Sequence, residues 1–211
     1  MKKTLLILSF AIGLFSYSCK EAKKETTSEE KEAVTATEMY TILSDSTKVS
    51  FTAYKTTDKL PVGGTFKAIN IKNATPAATA LEALNGLEFG IPVSSLFTND
   101  PTGTRDPKIT EFFFGAMKNT ELISGTFKVD GEACSLEIEM NGETSSIPLE
   151  KIMNSDTSYT FNGVMDLKNW NATDAVASLN KVCEALHTGK DGVSKTWDEV
   201  AIKADVLFAK K

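Results

Sequence analysis

Histidine and cysteine are scarce in this 211-residue chain, and long apolar runs are scarcer still. The single His, His187, cannot build a His-based metal cluster, and no second His exists to complete a zinc site. The three Cys (Cys19, Cys134 and Cys183) show no Cys-x-x-Cys spacing, which speaks against thiol–disulfide exchange as an activity. A Gly-x-Ser-x-Gly elbow, a phosphate loop and a dinucleotide Gly motif are all missing. Carboxylates are plentiful but scattered, as on a solvated surface, and nothing marks a glycosidase pair. No catalytic residue and no metal-ligand set emerges, so the chain reads as a non-enzyme without a cofactor. Net charge is −5 with no dense basic patch, which excludes nucleic acid as the expected partner.

What is present begins with the leader. Met1-Lys2-Lys3 is positive, Thr4 to Phe15 is an uncharged apolar run, and Ser16-Tyr17-Ser18 places small residues where a signal peptidase reads. Residues 1–18 therefore read as a secretory signal, since twelve apolar residues are too few to span a bilayer as a mature helix. Ser18 followed by Cys19 resembles the lipobox of bacterial lipoproteins, with Ser16 standing where Leu, Val or Ile is usual. Two outcomes follow: diacylation of Cys19 and a membrane anchor, or ordinary cleavage and a soluble periplasmic protein. The reading taken forward is an outer-membrane-anchored lipoprotein of the cell envelope, on the periplasmic face or the cell surface. Residues 19–38 suit a tether, because Lys20 to Glu38 carries four Lys, six Glu and no aromatic residue. Such a stretch buries too little apolar surface to offset its ordering entropy, and its reach is roughly 25 Å.

Residues 39–211 form one domain of ordinary length, with a net charge of −5 once the leader and tether are removed. An oxidising compartment permits a Cys134–Cys183 disulfide, and two buried thiols are the alternative. Period-two alternation marks Val49–Ala53, Leu87–Leu96, Leu136–Met140, Tyr159–Leu167 and Val200–Phe208 as strands. Met39–Ser44, Val62–Ile71, Thr120–Val129 and Ser145–Ile152 complete a set of about eight, with Asp130-Gly131 and Asn141-Gly142 as hairpin turns. A short helix is predicted over Ile109–Met117. A longer one spans Ala172–Leu186, with Asn171 as cap, Gly189 as stop and His187 at its C-terminal dipole. The class is all-β with two helices, as a closed antiparallel barrel or a sandwich; a barrel of this size can enclose a small ligand.

The stretch Thr98 to Phe114, with Arg105-Asp106-x-Lys108-Ile109 and the run Phe112-Phe113-Phe114 between two strands, resembles the signature of the YceI-like family. Tyr40-Thr41-Ile42 with Val49-x-Phe51, the Gly64-Thr65-Phe66 segment and the alternating last strand resemble it too, in the family's order over residues 39–211. Lys108 stands where the family has His, so no role of that His carries over. The resemblance implies a lipocalin-like barrel of about eight strands, with an apolar channel for a polyisoprenoid, an isoprenoid quinone or another long-chain amphiphile. On the strand reading, Phe51, Phe66, Phe89, Phe127, Phe161, Met165 and Phe208 face the apolar side and are its expected lining. The same rings alone are also enough to fill a barrel that holds nothing and serves as a tethered interaction module. Arg105 either meets a ligand headgroup near the barrel mouth, or Arg105 and Asp106 form a charge pair that fixes the loop as it enters the Phe112–Phe114 helix, with those rings closing the barrel. The expected partners are a hydrophobic small molecule and, through the anchor, a membrane; a homodimer is compatible with the reading.

Overall fold

Short amphipathic runs, each with one apolar face, pair side by side into a single antiparallel sheet in the computed structural model, which describes residues 38–211. The signal, Cys19 and nearly all of the tether lie outside the described residues. The strands are β1 (Tyr40–Ile42), β2 (Lys48–Lys55), β3 (Leu60–Phe66), β4 (Asn70–Lys72), β5 (Glu88–Pro92) and β6 (Leu96–Phe97). They continue with β7 (Leu122–Asp130), β8 (Ala133–Met140), β9 (Glu143–Ser155), β10 (Ser158–Asp166) and β11 (Glu199–Lys210). Neighbours follow the order β4-β5-β7-β8-β9-β10-β11-β2-β3-β6, with β1 added against β11. The sheet curls into a lipocalin-like half-barrel, so the barrel alternative holds over the sandwich.

The two hairpin dipeptides turn where the alternation places them. Gly131 takes φ +58°, and Asn141 and Gly142 take +55° and +78°, the left-handed pair that a two-residue hairpin requires. The nine runs named from the sequence become eleven strands among the described residues because two of them are each divided. Val62–Ile71 is β3, next to the β6 edge, and then β4, the opposite edge of the curled sheet; Leu87–Leu96 is β5, a turn over Val93–Ser95, and β6. The alternation changes phase at each crossing, from Phe66 to Ile69 and from Val93 to Leu96, where the chain changes partner. The crossings close the seam: Lys67 N–H donates to the Ser95 carbonyl at 2.9 Å, and the Ser95 hydroxyl donates to Pro92 O at 2.7 Å.

The helices also differ from expectation. Helix α1 (Ala80–Leu84) went unpredicted, although Thr79 and Glu82 form a reciprocal capping box around its first turn. Helix α2 (Arg105–Lys108) starts four residues ahead of the predicted short helix and runs into a π-helical turn, Ile109–Phe113, and then a 3-10 turn, Phe114–Ala116. The predicted long helix is α3 (Thr173–Val182) followed by α4 (Glu184–His187), broken at Cys183. Asn171 is left-handed at φ +50° and closes the preceding 3-10 turn, Leu167–Trp170, instead of capping α3, whose first turn Ala172 precedes.

Two buried clusters hold the ends. At the α1 end, Ile42, Leu84, Leu87, Phe127, Phe161 and Phe208 pack together. At the α3 end, Ile138, Met140, Ile147, Leu167 and Val176 surround Trp170, which has no exposure and donates its Nε1–H to Ile138 O at 2.9 Å. Cys134 lies in the first cluster and Cys183 at the close of α3; both are free thiols, so no disulfide joins them.

Candidate functional site

Between the clusters the curled sheet encloses a cavity of about 210 Å³. A single water needs only ~10–15 Å³ measured in this way, and packed interiors hold few voids larger than one water. The space is therefore too large for a packing defect. Its wall is almost wholly apolar: Val49, Phe51 and Ala53 from β2 lie beside Val200, Ile202 and Ala204 from the neighbouring β11. A wall of that kind offers no compensation for a polar group taken out of water.

Glycines opposite phenylalanines keep the space open. Phe51 pairs across the ladder with Gly64, and Phe89 with Gly125. A Cβ added at Gly64 would collide with Cζ and Cε1 of the Phe51 ring, and one at Gly125 would sit 2.6 Å from Cζ of Phe89. Each ring thus lies against the backbone across from it instead of projecting to the barrel axis. Phe66 leans on Phe51 with centroids 5.7 Å apart, and Phe127 meets Phe161 edge-on at 5.0 Å. Phe51, Phe66 and Phe89 stay half-buried, whereas Phe127 and Phe161 are buried. The β7–β10 side is packed, and the β2–β3–β5 side is the accessible wall.

Of the seven residues predicted to line the interior, Phe51, Phe66, Phe89, Phe127, Phe161 and Met165 do so. Phe208 does not. It faces inward as alternation predicts, but it lies in the α1-end cluster, edge-on to Tyr40 and Tyr159 at 6.4 and 5.9 Å. The last strand outruns the cavity, and its Phe seals the end. Phe113 and Phe114 close the cavity at the α3 end, and sequence reasoning missed Ile109, Leu179 and Trp197 beside them. Their signal was present in the Ile109–Phe114 run and the apolar face of the long helix, but neither pattern says which side of a barrel a helix covers.

Arg105 and Asp106 do not pair with each other. Asp106 accepts from the Thr98 backbone N–H at 3.0 Å and from the Thr98 hydroxyl, which pins α2 to the end of β6. Arg105 lies 4.0 Å from Asp100, with its side chain 41% exposed. Asp100 accepts from Thr102, Thr104 and Arg105. The Thr102 hydroxyl, then burial and the Arg105, Thr102 and Thr104 backbone donors set its carboxyl at about 2, the hydrogen bonds prevailing over burial.

His187 ends α4 but is no cation on a helix dipole. Its Nδ1 meets the Thr196 hydroxyl at 2.6 Å, and Thr196 donates to Asn180 Oδ1 at 2.8 Å. Burial first, and then Lys55 and Lys108, push its imidazole down to about 4, so it is neutral at pH 7. Among the described residues no cluster of three or more His, Cys, Asp or Glu side chains is placed to hold a metal ion.

No family model and no curated protein matches the chain. Solved structures do. A polyisoprenoid-binding domain from Saccharophagus degradans, implicated in plant cell wall breakdown, is 12% identical with a TM-score of 0.58, over 82% of this chain and 98% of that one. Burkholderia cenocepacia BcnA is 18% identical over 77% of this chain and 96% of its own, with a TM-score of 0.46. A Campylobacter jejuni YCEI protein is 17% identical over 71% and 85%, with a TM-score of 0.42. The likeness to the first of these establishes a shared fold: the chain has the architecture of that polyisoprenoid-binding domain.

Proposed function

We propose that the chain is a YceI-like envelope lipoprotein that holds one long-chain amphiphile in its barrel, as a carrier or scavenger. A polyisoprenoid or an isoprenoid quinone is the ligand class. The observation that carries this reading is the apolar cavity whose Phe51 and Phe89 rings lie against the glycines paired with them. Each methylene that enters it contributes about 0.8 kcal/mol, so a chain of many carbons gains affinity from length alone. A rigid, preformed wall adds to that gain by lowering the ordering cost of binding. The cavity counts against a self-filled interaction module, and the Saccharophagus domain of the same fold is named for polyisoprenoid binding. Acylation of Cys19 and the tether place the barrel at the outer membrane, close to its source of ligand.

The test is identification of the lipid that accompanies the protein purified from its own envelope. Recovery of a stoichiometric isoprenoid supports the reading. Repeated recovery without lipid, together with no uptake of an isoprenoid quinone in native mass spectrometry, would sink it. Anchoring is tested separately by metabolic lipid labelling: Cys19→Ala abolishes the label, whereas label that survives the substitution contradicts an anchor at Cys19.

A further inference from the structure

Thr196 and Trp197 line the cavity at its α3 end. Behind Thr196 stands a hydrogen-bonded set: His187 Nδ1 at 2.6 Å, and Asn180 Oδ1, which accepts from Thr196 at 2.8 Å and from Ser194 at 3.3 Å. Because the Thr196 proton goes to Asn180, His187 is the donor in its contact with Thr196, and its Nε2 is a bare acceptor. Lys55 reaches the same place. Val49, Phe51 and Ala53 line the cavity, so the period of two along β2 turns Lys55 inward as the next residue in that row. An isolated bridge pairs its backbone with Thr196. Lys108 precedes the cavity-lining Ile109, and it and Lys55 are the charged groups that act on His187.

Most other charges of this end are committed. Lys59 pairs with Glu199 at 2.8 Å, Asp198 with Lys168 at 3.1 Å, and Lys195 lies 3.5 Å above the Trp197 ring. Asp191 accepts from Thr57 and the Val193 N–H. Among the described residues neither Lys55 nor Lys108 has a carboxylate within ion-pair distance. Two cations outside any ion pair, near hydroxyl and imidazole groups behind the end of an apolar cavity, match an amphiphile with a negative head.

We propose that this end binds the oxyanion headgroup, phosphate or carboxylate, of the long-chain ligand through Lys55 and Lys108, with the His187 imidazole as third partner. The inference rests on the proposed function and adds the charge and orientation of the ligand: head at the α3 end, tail toward α1. An anion beside Nε2 favours the protonated imidazole and raises its titration midpoint from about 4.

His187 is the sole His of the chain, so one imidazole NMR signal reports on the site. The probes are geranylgeranyl monophosphate, geranylgeraniol and inorganic phosphate. The proposal predicts that the prenyl phosphate raises the His187 midpoint by at least about one unit and binds about tenfold or more tighter than the prenol. Lys55→Gln and Lys108→Gln each remove about tenfold for the phosphate and leave the prenol unchanged. Equal affinity for the two lipids with His187 unmoved overturns the headgroup assignment and leaves the cavity reading intact. If neither lipid binds, both fall. If inorganic phosphate alone produces the full shift, the end is a free-phosphate site, and the lipid headgroup assignment is wrong.

Discussion

Gly64→Ala asks whether the Phe51–Gly64 pair sets the capacity of the cavity. The added methyl would overlap Cζ and Cε1 of the Phe51 ring, so the ring must swing off its wall. Its free side faces the cavity, and that is where it goes. Overpacking of this kind costs about 1–3 kcal/mol of stability. The larger effect falls on binding. A phenyl ring turned inward excludes roughly three or four methylenes of ligand, worth ~0.8 kcal/mol each. The loss is about 2.5–3 kcal/mol, on the order of a hundredfold in Kd. Trp197 lines the cavity and reports occupancy by fluorescence quenching with a long-chain isoprenoid quinone, over a constant background from buried Trp170. Phe51→Ala in the Gly64→Ala background removes the displaced ring, and most of the affinity returns; the double-mutant cycle isolates the pair. Wild-type affinity in Gly64→Ala would refute the argument that the ring is held off the axis by the glycine.

Three further outcomes follow from the same contacts. Gly125→Ala loses stability more than capacity, because its Cβ would lie 2.5 Å from the Glu137 carbonyl oxygen, a backbone atom that does not swing aside; urea melts with binding controls separate the two effects. Asp106→Ala removes both Thr98 hydrogen bonds and costs about 1–3 kcal/mol, whereas Arg105→Ala, with one exposed 4.0 Å contact, costs under about 1 kcal/mol. His187 titrates near 4 folded and near 6.5 unfolded, so the unfolded chain binds more protons between those values. Its contribution to stability is complete above about pH 6.5 and is lost as pH falls toward 4, about 1–2 kcal/mol after solvent screening. Denaturation of His187→Gln across that window loses this slope, while the Asp100 contribution, lost as pH falls from 3.8 toward about 2, lies below it.

The parts of this fold that alternation reveals are those where one residue's side is the whole question. Phe51, Phe89 and Phe161 face inward because period two says so, and the Asn141-Gly142 turn forms because both residues tolerate positive φ. Depth along the barrel is a different matter. Phe208 and Phe161 look alike in the sequence, yet one seals the end and the other lines the cavity, and only the lengths of β10 and β11 relative to α1 decide which. Register across strands is equally hidden. Gly64 reads as a weak point in a strand until the ladder sets it opposite Phe51. The polar end was invisible for the same reason, since Lys55, Asn180, His187 and Thr196 come together only when the 187–196 loop folds back on the end of β2. Thr79-x-x-Glu82, by contrast, is a local capping signal for α1 that the strand pattern overshadowed.

The central claim is that this barrel takes up an apolar chain by its length, and a series of prenyl ligands with one to eight isoprene units measures that directly. Calorimetric affinity is predicted to rise at least about tenfold per added unit while the cavity fills, and then to level off as further units remain in water. Affinity that is flat across the series, or that keeps rising beyond any length the interior can hold, would contradict the account.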